Sequence, residues 1–263
     1  ERIKTGFGWK LGGQGKRGLA QLYLSNGLAT AWNPKPSRQS TFGPDFWALA
    51  LSGDTLFVAG TYDSLGGGGG QAGGTAAALS ATTAERLGWD PRTNDFVFAL
   101  ALQHGVMFVG GWFTSIGEDW VLRRGLAAID ARTGRVTDWD PRPNDYVKSV
   151  LVYGGSVYVG GYFSSVGGQS RNFIAALDPT TGQARPWNPG ANSAVLQLTP
   201  LGGAVLAGGL FRSIGGRAQR GIAAVDTASG LVTDWNPVRS PYAGNTPPTP
   251  PTIPSWASPA APS

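Results

Sequence analysis

The chain has 263 residues, a formal net charge of +5, 41 glycines, 19 prolines and no cysteine. The length is ample for one large core, and the lack of cysteine excludes disulfides, thiolate metal sites and cysteine nucleophiles. Charged residues make up only 14% of the chain and are dispersed, so the clustered basic surface of a nucleic-acid-binding protein is not predicted. No apolar run approaches the roughly eighteen residues of a membrane span, while peripheral association with a membrane stays open.

The chain begins at Glu1, and Met107 is its one methionine. A removed secretory signal and a fragment boundary both explain a first residue other than methionine. We favour export, which predicts a periplasmic, cell-surface or extracellular protein.

Landmark residues recur about every fifty positions. Trp139, Trp187 and Trp235 each stand in a Trp-Asp/Asn-Pro triplet and are 48 residues apart, and Trp89 precedes Trp139 by 50. A Gly-Gly pair recurs with nearly the same period as the tryptophans and begins at residues 110, 160 and 208. Gly60 is aligned as the first member of the pair in the preceding unit. One supersecondary unit is therefore repeated.

Residues 1–34 are predicted to be an incomplete unit. The run at 17–20 matches those at 124–127 and 220–223, and a Trp-Asn-Pro triplet ends it at 32–34. Counting backwards, residues 1–6 fall on the second strand of the unit, so the innermost strand is missing at the N-terminal side.

Four complete units follow, which we call repeats 1 to 4. They span 45–91, 95–141, 145–189 and 193–237. In repeat 3, four apolar runs at 146–152, 156–159, 173–177 and 183–187 are separated by turn residues. Four strands in 48 to 50 residues are typical of a propeller blade. The sequence predicts an all-β, five-bladed β-propeller of four-stranded antiparallel blades over residues 1–237.

The composition changes at residue 238. Residues 238–263 are rich in proline and have almost no strand pattern, so we predict an extended polyproline-like tail. It is either a flexible linker or an arm that binds a protein partner; its first residues are also an alternative source of the missing innermost strand. The residues predicted to bind the partner are Trp256, Pro247, Pro248, Pro250 and Pro251.

The repeats resemble a known family. Gly-Gly-x-Phe-x-Ser-Ile/Val-Gly, followed by Ala-Ala-x-Asp and Trp-Asp/Asn-Pro, is carried by residues 106–141, 157–189 and 205–237, and more loosely by 56–91. This pattern resembles the delta-sixty type of β-propeller repeat of exported bacterial proteins and, more distantly, the propeller of fungal cortical polarity markers. The resemblance covers about 235 residues. It implies a propeller fold and export, and implies no particular activity.

Three carboxylates form the main candidate ligand site. Asp45, Asp95 and Asp145 are spaced by 50 and each precedes an aromatic residue at the start of an innermost strand. In a propeller those starts converge around the central channel, so the three carboxylates are predicted to bind Ca²⁺ or a cationic group at its mouth. The alternative is that each caps its own turn, because repeat 4 has Ser193 at this place.

Other repeated polar and aromatic residues have structural interpretations. Asp130, Asp178 and Asp226 precede a turn at the end of the third strand and are predicted to cap it. The repeated tryptophans are predicted to fill the gap between adjacent blades.

Residues suited to catalysis are few. His104 is the one histidine and falls in a hairpin turn, with no Gly-x-Ser-x-Gly sequence beside it. We predict that the chain is not an enzyme and needs no cofactor. A glycan-active enzyme that uses Asp45, Asp95 or Asp145 as acid and base is the third alternative.

The sequence therefore predicts a non-catalytic binding or scaffold subunit. It is expected to mediate protein–protein interaction in an exported, cell-envelope or membrane-associated assembly. The alternative is a propeller that binds a glycan or small ligand, with Ca²⁺ at the channel mouth.

Overall fold

The computed structural model describes residues 2–6, 18–39, 43–67 and 74–235. Within these ranges the chain is all-β and no residue lies in a helix. Accordingly, the described part contains no helix of the length and apolarity that crossing a bilayer requires. The predicted tail and its five partner-binding residues lie outside the described ranges.

Twenty strands follow one another along the chain. The N-terminal incomplete unit holds β1 (Arg2–Gly6) and β2 (Gly18–Leu22). Repeat 1 holds β3 (Asp45–Ser52), β4 (Thr55–Tyr62) and β5 (Gly74–Ser80). Repeat 2 holds β6 (Val97–Gln103), β7 (Val106–Gly111), β8 (Ser115–Ile116), β9 (Val121–Leu122) and β10 (Leu126–Asp130). Repeat 3 holds β11 (Val147–Tyr153), β12 (Ser156–Gly161), β13 (Ser165–Val166), β14 (Gln169–Ser170) and β15 (Ile174–Leu177). Repeat 4 holds β16 (Val195–Leu201), β17 (Ala204–Gly209), β18 (Ser213–Ile214), β19 (Arg217–Ala218) and β20 (Ile222–Asp226).

Each complete repeat forms one antiparallel sheet. The strand orders are β3-β4-β5, β6-β7-β10, β11-β12-β15 and β16-β17-β20. The incomplete unit contributes the two-stranded sheet β1-β2, whose strands correspond to the second and third strands of a full repeat. The predicted period and the order of the strands are therefore confirmed.

The prediction of four full strands per blade is wrong. The fourth segment is joined to the third strand by a single bridge pair in each repeat, such as Ile129 with Val136 and Leu177 with Ala184. The segment is short because the Trp-Asp/Asn-Pro triplet ends it, and proline has no N–H to donate to a ladder. Repeats 2 to 4 also carry a small hairpin after the second strand, which the sequence did not predict. Its two strands have two residues each, and the hairpins are β8-β9, β13-β14 and β18-β19.

Successive sheets pack against one another. The first strands β3, β6, β11 and β16 lie beside one another in chain order, and we call them the inner strands. Four clusters of buried apolar side chains fill the spaces between adjacent sheets, and each takes residues from two consecutive units. The cores of the protein are thus interfaces between repeats, which is how sheets of a propeller bury both faces.

The repeated tryptophans pack at these interfaces between adjacent sheets, as predicted. Trp139 packs edge-to-face on Phe108 of its own repeat, with ring centroids 5.0 Å apart. Its indole Nε1 donates a hydrogen bond of 3.0 Å to the carbonyl of Asp178 in the next repeat. Trp187 bonds in the same way to the carbonyl of Asp226, at 2.9 Å. Each indole ring therefore packs on an aromatic ring of its own repeat and donates a hydrogen bond to the next repeat.

The turn after the third strand is capped by a carboxylate, also as predicted. Asp178 Oδ1 accepts hydrogen bonds of 2.9 Å from the backbone N–H groups of Thr180 and Thr181. Asp130 and Asp226 make the same pair of bonds in their repeats. In repeat 1, Ser80 Oγ accepts the two bonds instead.

These caps predict an acid-sensitive fold. Backbone donation from Thr181 and Thr180 holds the pKa of Asp178 at about 2, below its ordinary 3.8. A depressed carboxyl pKa stabilises the fold above the unfolded value, and this contribution is lost as the pH falls through the folded value. We expect Asp178→Asn to lower the melting temperature at neutral pH and to flatten the loss of stability between about pH 4 and pH 2. Thermal melts over this range measure both effects.

The matched control is Asp138→Asn. Asp138 is exposed and accepts no hydrogen bond from the described residues, so its melting curve should follow that of the unaltered chain. Equal pH profiles for the two variants would contradict the capping role of Asp178.

Candidate binding site at the start of the inner strands

A β-bulge interrupts every inner strand near its start. The register shifts between Phe46 and Ala48 in β3, and between Val97 and Ala99 in β6. The same shift occurs in β11 and β16. A bulge leaves one residue out of the ladder and turns its side chain away from its usual direction. The residues at the bulges are Trp47, Phe98, Lys148 and Leu196.

The bulges and the glycine pairs define the equivalent positions of the four repeats. In each repeat, one glycine of the second strand lies so close to a carbonyl of the inner strand that a Cβ atom on the glycine would clash with the oxygen. The pairs are Gly60 with Asp45, Gly111 with Phe96, Gly161 with Tyr146 and Gly209 with Ala194. Gly60 is therefore the second member of its pair, and its predicted alignment as the first member is wrong by one residue. Phe96 and Tyr146 consequently share one position with Asp45, and we call it the start position of the inner strand.

Aromatic side chains from repeats 1 to 3 form a continuous surface at these starts. Trp47 contacts Phe96 and Phe98, with centroids 5.5 and 5.3 Å apart. Phe98 lies 6.4 Å from Tyr146 of the next repeat. Trp112 and Tyr162, which directly follow the glycine pairs of β7 and β12, lie 5.5 and 4.4 Å from Tyr146. We call these six residues, Trp47, Phe96, Phe98, Trp112, Tyr146 and Tyr162, the aromatic face.

The aromatic face is open to solvent at both ends. Trp47 is 39% exposed and Trp112 is 56% exposed, whereas the repeated tryptophans Trp89, Trp139 and Trp187 are buried. The rings contact one another across repeat boundaries, so the face is held by packing even where it is exposed. A contiguous exposed apolar surface is a candidate site for interaction.

A lysine lies on the aromatic face. The Nζ atom of Lys148 is 3.4 Å from the centroid of Phe98, which is a cation–π contact. Partial burial lowers the pKa of Lys148, because removal of water disfavours the charged ammonium. Partial burial likewise raises the pKa of the Tyr146 hydroxyl.

A cleft with a volume of about 170 Å³ opens between Trp112 and the start of β11. Its walls combine two aromatic rings, a carboxylate, an amide, a guanidinium and a hydroxyl, supplied by Trp112, Tyr146, Asp145, Asn144, Arg124 and Thr114. The backbone of Gly125 forms part of the wall, with a positive φ of 62°. We call this space the aromatic cleft.

Asn144 fixes the geometry of the aromatic cleft. Its Oδ1 accepts hydrogen bonds from the backbone N–H groups of Ser164 and Ser165, at 2.9 and 3.0 Å. Its Nδ2 donates to the hydroxyl of Ser164 at 2.9 Å. The start of β11 is thereby tied to the segment after β12, so the side chains beside Asn144 have a defined position.

The three predicted ligand carboxylates are not equivalent in the structure. Asp95 and Asp145 each accept a hydrogen bond of 2.7 Å from the next backbone N–H, that of Phe96 and Tyr146. This is the capping arrangement named as the alternative. Asp45 instead occupies the start position itself, one residue further along the repeat. The three aspartates are equally spaced by 50 residues in the sequence, but Asp45 occupies a different position of its repeat from Asp95 and Asp145.

The structure does not bring these carboxylates together as a metal centre. Among the described residues, which include all three, no group of three or more His, Asp or Glu side chains is arranged to hold a metal ion. Of the three, Asp145 lines the aromatic cleft. His104 lies exposed in the β6-β7 turn with a positive φ of 47°, as its predicted place in a hairpin requires.

Repeat 4 lacks the carboxylate and the two aromatic rings of the aromatic cleft. Ser193, Ala194 and Leu210 occupy the positions of Asp145, Tyr146 and Trp112. At the place of Gly125, repeat 3 has Phe173, which adopts a positive φ of 65° that is unusual for a bulky residue. The cleft is therefore a feature of one repeat boundary and not a consequence of the fold.

The fold and this site together define a propeller-like repeat protein with an exposed aromatic surface. The sequence matches no family model and no curated protein. Among solved structures, the chain is similar to the WD40 domain of Neurospora crassa Pan2, with a TM-score of 0.53 and 12% identity over 82% of this chain and 58% of that one. This similarity shows the propeller-like fold, and the match spans less than two thirds of the WD40 domain.

Two computationally designed proteins also match. Ika8 has a TM-score of 0.46 and 16% identity over 81% of this chain and 66% of that one. Ika4 has a TM-score of 0.44 and 18% identity over 65% of this chain and 87% of that one.

Proposed function

We propose that this chain is a non-catalytic binding subunit that mediates a protein–protein interaction in an exported, cell-envelope or membrane-associated assembly. The observation that carries the proposal is the aromatic face, which is built across three repeats and stays exposed at Trp47 and Trp112. Tryptophan and tyrosine side chains supply most of the energy of typical binding surfaces, because they bury a large area at low entropic cost. The propeller-like fold supports the proposal by holding these rings rigidly.

We also propose that the repeats form a five-bladed ring. Four complete repeats and the β1-β2 sheet supply four sheets and part of a fifth.

Export is proposed from the resemblance of the repeats to exported bacterial propellers. Fractionation of the source cell checks export, since recovery of the protein in the cytoplasm alone would contradict it.

The absence of catalysis is part of the same proposal. Its support is the position of His104 in an exposed turn and the capping role of Asp95 and Asp145, each of which bonds to the next backbone N–H of its own repeat. Turnover of any glycan substrate that is abolished by Asp145→Asn would contradict the proposal.

The aromatic face predicts a specific binding defect. In affinity purification from the envelope fraction of the source cell, the unaltered chain should retain a defined protein partner. We expect the double variant Trp47→Ala/Trp112→Ala to lose it, because two exposed anchors are removed, each worth about 2 kcal/mol or more if it is a hot spot. Quantitative mass spectrometry of the retained proteins measures the loss.

A matched control separates this effect from general loss of exposed apolar surface. Leu231 is 69% exposed and lies in repeat 4, outside the aromatic face. Leu231→Ala should retain the partner, and both variants should melt at the temperature of the unaltered chain. Equal retention by the double variant and the control would disprove the role of the face.

A further inference from the structure

We propose that the aromatic cleft binds one pyranose ring of a neutral glycan chain. The inference rests on the proposed function, because it names the chemical group that the binding surface holds. Its basis is the combination of aromatic rings with a small set of hydrogen-bonding side chains around a space of about 170 Å³.

The size of the cleft limits the occupant. Pockets that enclose a whole drug-sized ligand have volumes of roughly 300–1,000 Å³. A space of about 170 Å³ is smaller, so it accepts a single ring and not a larger molecule. A wider groove of about 760 Å³ begins at Arg124 and Asn144, residues that also line the cleft. A ring in the cleft can therefore belong to a chain that continues along the groove.

The walls of the cleft match the two kinds of surface on a sugar. A pyranose has an apolar face of C–H groups and a rim of hydroxyls. The rings of Trp112 and Tyr146, which are tilted by 33° relative to each other, each offer an apolar face. Asp145 accepts a single hydrogen bond from the described residues, through Oδ1, so its carboxylate keeps acceptor capacity for ligand hydroxyls.

Arg124 supplies the complementary donors. It is exposed, and none of the described carboxylates forms an ion pair with it. Its guanidinium has donors to spare for hydroxyl or ring oxygens of a sugar. A carboxylate and a guanidinium on the same cleft offset each other in charge, which favours a neutral ligand with both donors and acceptors over an ion.

The neighbouring repeat boundary supports a dedicated site. At the boundary between repeats 3 and 4, Ser193 and Ala194 replace the carboxylate and the tyrosine, and Phe173 replaces Gly125, although the backbone bulge and glycine pair are the same. Because the fold does not require these groups, their convergence in one cleft points to a ligand.

The test is calorimetric titration of the full chain with neutral saccharides. The probes are glucose, galactose, mannose and N-acetylglucosamine, each as the monosaccharide and as a tetrasaccharide, with a uronate tetrasaccharide for comparison. We expect one site per chain, tighter binding of a neutral tetrasaccharide than of its monosaccharide, and a change in tryptophan fluorescence. We expect Trp112→Ala and Asp145→Asn each to weaken binding about tenfold or more.

The controls are the equivalent substitutions in repeat 4. Leu210→Ala and Ser193→Ala change the corresponding positions and should leave binding unaltered. Equal binding by all four variants would place the sugar elsewhere and overturn the inference. Tighter binding of the uronate would contradict the role of Asp145 as an acceptor.

A third set of outcomes separates this inference from the proposed function. If no saccharide binds while the unaltered chain still retains its protein partner, the cleft is not a sugar site and the proposed function stands. If neither a saccharide nor the protein partner is bound, the sugar site and the proposed function are both disproved. Binding to purified envelope polysaccharide and to glycans released from the retained partner distinguishes the source of the sugar.

Discussion

Replacing Gly161 with alanine is expected to destabilise the protein strongly. A Cβ atom at Gly161 would lie 2.3 Å from the carbonyl oxygen of Tyr146 and 3.0 Å from the Cα of Val147. Both atoms are backbone, so no side chain can rotate away from the contact. The strands β11 and β12 would have to separate at the start position. Overpacking of this kind costs about 1–3 kcal/mol, and the upper end is expected where the contacting atoms are backbone.

Urea unfolding measures this cost, and Gly88→Ala is the control. A Cβ atom at Gly88 would meet nothing within 4 Å, and the backbone there does not have a positive φ. We expect Gly88→Ala to unfold at the urea concentration of the unaltered chain and Gly161→Ala at a much lower one. Similar midpoints for the two variants would show that the close contact of strands at the start position is not required.

The same substitution is also expected to disturb binding. Tyr146 is the central ring of the aromatic face and contacts Trp112, Phe98 and Tyr162. Its carbonyl is the group that the new methyl would displace. The glycine pair therefore links the stability of the sheet to the aromatic face, because it lets the two strands approach closely enough to fix the position of the Tyr146 ring.

The repeat architecture could be predicted because its markers are residues with unusual requirements. Glycine is needed where a Cβ atom would meet a carbonyl, and tryptophan fills the space between two sheets. Such residues recur at the same place in each repeat and reveal the period. The length of the fourth strand was overestimated, since apolar alternation continues up to the tryptophan although the ladder keeps only one bridge pair, such as Val225 with Val232.

The site was harder to predict, because it depends on a one-residue difference. Asp45 and Asp95 are 50 residues apart, but Gly60 and Gly111, which mark the equivalent backbone positions, are 51 apart. A shift of one residue turns a side chain to the other face of a strand. Phe46 consequently lies in the core at 7% exposure, whereas Phe96 contributes to the surface.

The aromatic face itself left only a partial signal in the sequence. The aromatic residues that follow Asp95 and Asp145 are visible as a pattern, and they do form part of the face. The contribution of Trp47 and Phe98 is not visible, because it depends on the bulges that take these residues out of the ladder. Contacts between Trp112 and Tyr146 cross a repeat boundary, and strand patterns within one repeat cannot predict them.

The second large effect is expected at the interface between blades. Trp139 is 5% exposed, packs on Phe108 and donates its Nε1 hydrogen bond to repeat 3. Trp139→Ala should cost about 3–5 kcal/mol, because it opens a cavity between two sheets. Trp139→Phe keeps an aromatic ring against Phe108 but loses the hydrogen bond, which adds about 1 kcal/mol to the cost of the smaller ring.

Trp89 provides the comparison that isolates the hydrogen bond. It packs edge-to-face on Phe57 in repeat 1, with ring centroids 4.9 Å apart, as Trp139 does on Phe108. Its buried Nε1 has no hydrogen-bond partner among the described residues. Trp89→Phe therefore removes an unsatisfied donor, and we expect a smaller loss of stability than for Trp139→Phe. Urea unfolding of both variants measures the difference, and equal losses would mean that packing alone, without the indole hydrogen bond, joins adjacent blades.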